Sequence, residues 1–145
     1  MDRDAPVVQI AAGSKMEDAM TVIGMGGYFF RAKDPAKLKA WYREHLGVGG
    51  GMGADPVTGH SNEYVWYHEG GPMVFEPFKA DTDYFAADKQ AMINLRVRDL
   101  DGLLAKLREA GIAITQEQEM DGVGRFARVH DPEDNAIELW EPPAS

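Results

Sequence analysis

An internal repeat with a period of about 64 residues constrains this chain more than any other feature of its sequence. The segment Phe29–Asp34 is echoed by Ile93–Asp99, and each copy carries an arginine and ends on an aspartate. Further along, Glu76 corresponds to Glu138 at nearly the same separation. A duplicated unit of this length forms one supersecondary motif per copy, so the fold is expected to consist of two similar halves.

Each copy contains an amphipathic helix that begins at the shared aspartate. Apolar residues then recur at helical spacing, which places them on one face. They are Leu38, Trp41, Tyr42 and Leu46 in the first copy and Leu100, Leu103, Leu104 and Leu107 in the second. Asp34 and Asp99 are suitable N-caps, and Pro35 suits the first helical position. Gly47 and Gly111 are expected to end the two helices in the left-handed conformation.

The rest of each copy alternates between apolar and polar residues, as β-strands do. The alternating segments are Glu63–Tyr67 and Met73–Phe78 in the first copy and Arg125–Val129 and Ala136–Trp140 in the second. A further strand is expected near Val48–Met52 and near Ile112–Glu117, although glycines weaken the first of these. The sequence therefore predicts an α+β fold made of a tandem βαβββ repeat.

The repeat also predicts the domain organisation. Residues 1–20 have no counterpart and form an N-terminal extension. Either part of it is a leader foreign to the protein, since later methionines offer alternative starts, or Val7–Ala12 adds an edge strand. One domain follows, with its first unit at 21–79, a linker loop at 80–90 and its second unit at 91–145. Two interpretations of the linker aromatics remain open: they pack against the domain, or they cover the mouth of a cavity.

Composition excludes several classes of function. A formal net charge of −9 argues against nucleic-acid binding, which requires patches of Lys and Arg. No stretch approaches the roughly 18 apolar residues of a membrane span, and residues 1–15 lack the order of a secretory signal, so we expect a cytoplasmic protein. The absence of cysteine excludes disulfides, thiolate metal sites and cysteine nucleophiles.

Two motifs in the second copy resemble those of a known superfamily. Arg96–Leu100 reads Arg-Val-x-Asp-Leu, and Asp131–Leu139 reads Asp-Pro-x-x-Asn-x-Ile-Glu-Leu. Together with the tandem βαβββ repeat, they resemble the glyoxalase/bleomycin-resistance/dioxygenase (vicinal oxygen chelate) superfamily over most of the chain. The resemblance implies that the two units form a cupped mixed sheet and that the chain is a homodimer. Candidates for the dimer contact are Trp41, Tyr42, Trp66 and the Tyr84-Phe85 loop.

The resemblance also implies where a metal would bind. Metal-dependent members place one ligand on the first strand and one on the last strand of each unit, usually a histidine and a glutamate. Here these positions fall on Gly27, Glu76, Met92 and Glu138. Glycine offers no donor, and a thioether suits Cu(I) better than Mg, Mn, Zn or Ni. We therefore expect no metal or other cofactor, with a weakly held divalent metal as the alternative.

Strand alternation predicts which side chains line the cup. The expected ligand-binding residues are Phe29, Arg31, Phe78, Met92, Asn94, Arg96 and Trp140, and the candidate catalytic residues are Glu76 and Glu138. Because buried charges need partners, we expect the arginines at 31 and 96 to pair with the two glutamates. His68 and His130 lie at strand ends and are expected to point away from the centre of the cup.

Two functions fit this arrangement. The first is a metal-independent protein that binds a small molecule, similar to the drug-sequestering members of the superfamily, because aromatic walls with a few polar groups are typical of such sites. The alternative is an enzyme, either a lactoylglutathione-lyase-like lyase or isomerase or a dioxygenase. Glu76 or Glu138 would then be the general base, and Arg31, Arg96 or Asn94 would stabilise an oxyanion. The sequence identifies neither ligand nor substrate.

Overall fold

A computed structural model of the chain describes residues 21–144. Its regular elements are α1 (Pro35–Leu46), β1 (Ile93–Arg96), α2 (Leu100–Glu109), β2 (Gln116–Met120), β3 (Gly124–His130) and β4 (Ala136–Glu141). Of these residues, 21–31 belong to one compact unit and 32–144 to another. Within the described range, no helix is long and apolar enough to cross a bilayer. The predicted edge strand at Val7–Ala12 lies outside the described residues.

Both helices begin where the sequence predicts, and α1 also ends there. A side-chain oxygen of Asp34, and likewise of Asp99, accepts a hydrogen bond of 3.1 Å from the backbone N–H three residues further on. These bonds satisfy donors that the first helical turn leaves without a partner. At the other ends, Gly47 caps α1 with φ 65°, whereas the cap of α2 is Ala110 and Gly111, with φ 81°, follows it. Both glycines are left-handed, a conformation that glycine adopts without strain. The two N-caps and the cap of α1 are confirmed, and the cap of α2 lies one residue earlier than predicted.

The four strands form one mixed sheet in the order β1–β4–β3–β2. Strand β1 runs parallel to β4, and the β4–β3 and β3–β2 pairs are antiparallel. With α2 between β1 and β2, the second copy of the repeat (residues 91–145) is a complete βαβββ motif. The predicted α+β fold is confirmed. Strand β2 begins later than expected, because the N–H of Ile112 donates to the carbonyl oxygen of Leu107 at 2.9 Å and closes the end of α2.

The hydrophobic core lies between the helices and one face of this sheet. Its buried members are Leu38, Tyr42, Leu95, Leu100, Leu104, Leu107, Ala127, Val129, Ile137 and Leu139. Burying a leucine or isoleucine side chain contributes about 1.5–3 kcal/mol, so the stripe on α2 and the alternating strand residues supply most of the stabilisation. Residues at the intervening strand positions point to the opposite face, and that face carries the polar groups described below.

Helix α1, which belongs to the first copy of the repeat, packs against the second copy. The hydroxyl of Tyr42 donates to Oδ2 of Asp131 at 2.7 Å, and Asp131 is only 4% exposed. The same carboxylate accepts hydrogen bonds from the side chain of Asn135 and from the backbone N–H groups of Glu133 and Asn135. The Asp-Pro-x-x-Asn turn thus stabilises the β3–β4 hairpin and also binds α1 to it. Tyr42 is therefore buried, and its predicted place on an exposed dimer contact is wrong.

The predicted strands of the first copy do not form. Between residues 47 and 92 the structure contains no strand, and a single isolated bridge joins Asn62 to Val65. Val74 and Phe75, which point to opposite faces in an extended chain, are 81% and 80% exposed. Alternation in sequence does not make a strand unless a neighbouring strand satisfies its backbone groups. The boundaries of the first unit, the linker and the second unit stay predictions.

Candidate functional site

A cluster of side chains surrounds Glu138 on the sheet face opposite the core. Asn94 donates from Nδ2 to Oε1 of Glu138 at 2.8 Å, and the hydroxyl of Tyr84 donates to Oε2. The guanidinium of Arg128 lies over the ring of Tyr84, 4.7 Å from its centroid, and donates to the carbonyl oxygen of Tyr84 at 2.6 Å. It also donates to Sδ of Met92 at 3.4 Å. We call these five residues the Glu138 cluster.

Strand register brings most of this cluster together. Asn94 on β1 lies opposite Glu138 on β4 because the two strands are parallel neighbours. Arg128 on β3 lies opposite Glu138 on its other side because the turn between β3 and β4 fixes their antiparallel pairing. Directly opposed residues have Cβ atoms about 4.5–5.5 Å apart, which is within reach of these side chains. Tyr84 comes from the segment before β1 and completes the cluster from outside the sheet.

The phenol of Tyr84 is held in its neutral form. Burial raises the pKa of Tyr84, and the hydrogen bond to Glu138 and the negative charge of that carboxylate raise it further, whereas Arg128 opposes the shift. A phenol that keeps its proton remains a hydrogen-bond donor at neutral pH. Both oxygens of Glu138 therefore accept hydrogen bonds from groups that stay in place.

Next to the cluster, the same sheet face carries an aromatic surface. The rings of Phe126 and Trp140 lie nearly parallel, with centroids 6.2 Å apart and 13° between their planes. The guanidinium of Arg96 lies over the Trp140 ring, 4.9 Å from its centroid. Nε1 of Trp140 donates to the carbonyl oxygen of Val123 at 2.8 Å, which fixes the indole. We call Arg96, Phe126 and Trp140 the aromatic surface; stacking and cation–π contacts of this kind suit planar groups.

The structure brings together some of the sequence-predicted site residues and separates others. Met92, Asn94 and Glu138 lie in the Glu138 cluster, and Arg96 and Trp140 lie in the aromatic surface next to it. The ring of Phe78 contacts that of Tyr84 edge-on at the border of the cluster, with centroids 5.5 Å apart. Glu76, Phe29 and Arg31 are exposed, and the last two belong to the unit that ends at residue 31.

The prediction that Arg96 pairs with one of the two glutamates, Glu76 or Glu138, is wrong, and the pairing of Arg31 stays a prediction. Arg96 lies opposite Trp140 in the β1–β4 register, two residues beyond the pair of Asn94 and Glu138. Its Nη2 donates instead to the carbonyl oxygen of Pro72 at 2.6 Å. The register thus gives Glu138 an amide as its β1 neighbour and leaves the guanidinium to stack on the indole.

Sequence reasoning missed Tyr84, Arg128 and His130. The alternation of β3 carried a signal for two of them, because Arg128 and His130 share a face with Phe126 and pair across the hairpin with Glu138 and Ala136. His130 therefore points to the same face as Glu138, and the expectation that it points away from the cup is wrong. For Tyr84 there was only the linker, whose interpretation as a loop over the site agrees with its bond to Glu138.

These residues do not fit the divalent metal site of metal-dependent relatives. Within residues 21–144, no three His, Asp or Glu side chains are grouped as such a site requires. Of the four positions concerned, Gly27 has no side-chain donor and Met92 accepts from a guanidinium. Both oxygens of Glu138 already accept hydrogen bonds. A cation at this position would lie beside the positive charge of Arg128. Glu138 is the only carboxylate of the cluster that could offset the two positive charges.

Comparison with protein families shows which superfamily the chain belongs to. Residues 24–139 match the family model described as the Glyoxalase/Bleomycin resistance protein/Dioxygenase superfamily. The match covers most of the sequence, and the chain belongs to this superfamily. A comparison with curated proteins found no match.

Several solved structures are similar to this chain. TnmS3, an antibiotic binding protein from Streptomyces sp. CB03234, is 24% identical, with 83% of this chain and 100% of that one covered and a TM-score of 0.48. A lactoylglutathione lyase from Agrobacterium tumefaciens is 15% identical, with 76% and 87% covered and a TM-score of 0.43. The fosfomycin resistance protein FosX from Listeria monocytogenes is 17% identical, with a TM-score of 0.35. That match covers 38% of this chain and 48%, or about half, of the FosX chain. Similarity at this level identifies no ligand.

Proposed function

We propose that this chain binds a small molecule without a metal, on the sheet face that carries the Glu138 cluster and the aromatic surface. The observation that carries the proposal is the position of Trp140, whose ring lies between Phe126 and Arg96 and next to Glu138, each of whose oxygens accepts one hydrogen bond. Small-molecule sites combine aromatic side chains with a few fixed polar groups that orient the ligand.

The geometry supports a flat, conjugated ligand. A planar ring can stack on Trp140 in place of the Arg96 guanidinium, and its polar substituents can reach Asn94 or the carboxylate of Glu138. The one described cavity near the cluster has a volume of about 50 Å³, far below the roughly 300 Å³ or more of sites for drug-sized molecules. The body of the ligand would therefore lie on the open face.

The enzyme alternative receives less support from this arrangement. Each oxygen of Glu138 accepts one bond, from Asn94 or Tyr84, and keeps a second lone pair, so these bonds alone do not exclude a general base. A lyase, isomerase or dioxygenase of this superfamily would, however, need a divalent ion, for which the residues around Glu138 do not fit. Binding without catalysis demands neither a free base nor a metal.

Ligand titrations test the proposal. We would follow tryptophan fluorescence of the full chain with naphthalene, naphthoate and acridine, in the presence and absence of EDTA. Trp140→Leu should weaken binding about tenfold or more, because base or ring stacking on an aromatic contributes about 1–3 kcal/mol. Trp66→Leu is the matched control and should leave binding unchanged. Equal binding in both variants, or stoichiometric Zn, Ni, Fe or Mn that is lost in Glu138→Gln, would contradict the proposal.

We also propose that the protein is a homodimer and acts in the cytoplasm. The exposed apolar segment that contains Val74 and Phe75 supports self-association, because monomeric proteins rarely leave large apolar patches uncovered. The chain needs no disulfide for its stability, which is compatible with a reducing compartment. Light scattering measures the first proposal and cell fractionation the second.

A further inference from the structure

The segment of residues 80–90, which the sequence predicts as a linker loop, is attached to the sheet only through bonds that involve a side chain. Within residues 21–144, no backbone–backbone hydrogen bond joins this segment to a strand, and its own backbone bonds close local turns. None of residues 80–90 is buried. Segments with little buried surface and few backbone bonds to the rest of a fold open at a low cost in free energy. This segment can therefore leave the sheet while the sheet stays intact.

Two anchors hold the segment on the sheet. At the first, the hydroxyl of Tyr84 donates to Oε2 of Glu138, and Nη1 of Arg128 donates to the carbonyl oxygen of Tyr84 at 2.6 Å. At the second, Nζ of Lys89 donates to the carbonyl oxygen of Glu133 at 3.0 Å. The first anchor thus uses the same carboxylate that a ligand on this face would use.

The two donors to Glu138 differ in how firmly the fold holds them. Asn94 lies on β1, and the parallel pairing of β1 with β4 fixes it opposite Glu138. Tyr84 lies on the segment without backbone bonds to the sheet and is 37% exposed. When the segment moves away, Asn94 stays in place and Oε2 of Glu138 loses its partner. Tyr84 is therefore the replaceable donor of the Glu138 cluster.

The chemistry of Tyr84 indicates which ligands can replace it. Its side chain presents an aromatic ring with a hydroxyl donor to Glu138. A carboxylate that loses one donor regains a bond only from a molecule that donates, so an aryl hydroxyl or aryl amine can take over and a hydrocarbon cannot. Trp140 lies on the same face two residues further along β4, or roughly 7 Å away. A ring stacked on that indole can place its donor at Oε2.

We propose that residues 80–90 occupy the polar end of the site in the free chain and that an aromatic ligand with a hydroxyl or amino group displaces them. The donor of the ligand then replaces the phenol of Tyr84 on Glu138. This inference rests on the proposed function, because the ring of the ligand lies on the aromatic surface. The segment lowers the apparent affinity for such ligands, since the chain binds them only in the fraction of molecules from which Tyr84 has withdrawn.

Two ligands with the same ring system separate the contacts. 2-Naphthol carries the hydroxyl donor and naphthalene does not, and the indole N–H resonance of Trp140 follows both in NMR titrations of the full chain. Tyr84→Phe keeps the ring beside Arg128 but frees Oε2. It should bind 2-naphthol about tenfold more tightly than the native chain, as expected for a hydrogen bond to a charged group. Naphthalene should bind both chains equally. Tyr64→Phe, whose ring lies near Lys39, is the control and should bind 2-naphthol like the native chain.

Tryptic cleavage measures release of the segment without any ligand. Lys79 and Lys89 lie at its two ends, and cleavage after them should follow the population in which the segment has left the sheet. Tyr84→Phe should be cut severalfold faster there than the native chain, with cleavage after Lys106 on α2 unchanged. Lys89→Met keeps the phenol but removes the second anchor, and it should also speed cleavage after Lys79. Saturating 2-naphthol should accelerate cleavage of the native chain, and naphthalene should not.

The outcomes separate this inference from the proposed function. Equal affinity of 2-naphthol for the native chain and Tyr84→Phe would show that the ligand shares Oε2 through its second lone pair, and it would overturn displacement. Equal cleavage rates in the native chain and both variants would show that neither anchor holds the segment. In both cases naphthalene binding would leave the proposed function standing. If neither ring compound binds, the proposed function and the displacement both fail, while the cleavage rates without ligand still decide whether Tyr84 holds the segment.

Discussion

At the scale of single residues, the site depends on how a few polar groups satisfy one another. Asn94 and Tyr84 donate to the two oxygens of Glu138 and fix its carboxylate on an open sheet face. Arg128 is held in turn by the ring and the carbonyl oxygen of Tyr84. Tyr84 thus contacts both charged groups, and its substitution should disturb the whole cluster.

The pKa of Tyr84, raised by burial and by Glu138, should make stability depend on pH at the alkaline end. Since the folded state holds the phenolic proton more tightly than the unfolded state does, its contribution is present below about pH 10, the ordinary pKa, and is lost as the pH rises through the higher folded pKa. Urea denaturation between neutral and strongly alkaline pH measures this loss. In Tyr84→Phe the alkaline slope should become shallower. An unchanged slope would show that the phenol titrates normally.

A second prediction concerns the buried contact between Tyr42 and Asp131. Tyr42→Phe removes one donor from a buried carboxylate and should lower the free energy of unfolding by about 1.5–3 kcal/mol, the range for hydrogen bonds to charged groups. Chemical denaturation followed by circular dichroism gives the value. Tyr64→Phe, at an exposed position, is the control and should stay within about 0.5 kcal/mol of the native chain. A loss of equal size in both variants would show that the bond to Asp131 contributes nothing of its own.

At the scale of elements, the packing of the second copy of the repeat explains the helical stripe and the strand alternation in its sequence. The apolar stripe of α2 packs on the sheet face formed by Val129, Ile137 and Leu139. The intervening residues of β3 and β4 are then free to carry chemistry, because alternation fixes which side chains meet the core. The hairpin turn anchored by Asp131 sets the register, and a slip of one residue would bury Glu138 and Arg128 against leucines.

Leu104 tests this packing. Leu104→Ala should cost about 2–5 kcal/mol, because it removes a fully buried side chain and leaves a cavity between α2 and the sheet. Leu103→Ala changes the neighbouring residue on the same helix, where the side chain is only partly buried. It should cost less than half as much in the same denaturation experiment. Similar losses for the two leucines would mean that α2 packs on a different face.

The same elements show how far sequence reasoning reaches. Helix caps, helical stripes and the strands of the second unit follow from local patterns, and alternation alone put Asn94, Arg96, Glu138 and Trp140 on one face. The partners of each polar group depend on register, which the sequence does not display, so the ion pair of Arg96 was misassigned. The strands expected around residues 63–78 depend on neighbours that alternation does not provide.

At the scale of the whole molecule, the two copies of the repeat have different roles. In the unit that begins at Ala32, the second copy forms the sheet, the aromatic surface and all of the Glu138 cluster except Tyr84, whereas the first copy contributes α1, docked through Tyr42. The segment from Met73 to Phe78 leaves alternating apolar side chains in solvent. In the proposed homodimer, a second copy of the chain would cover this segment.

Association of two chains through this segment leads to a prediction about mass. Phe75→Lys places a charge in the middle of the exposed apolar run, and a charge buried at an interface without a partner strongly disfavours association. Light scattering should therefore give a dimer for the native chain and a monomer for the variant, with helical content unchanged because Phe75 lies outside both helices. Val57→Lys, at another exposed apolar position, should remain dimeric. A native chain that is monomeric at every concentration would contradict the prediction. Equal masses for the two variants would also contradict it, because only Phe75→Lys changes the segment from Met73 to Phe78.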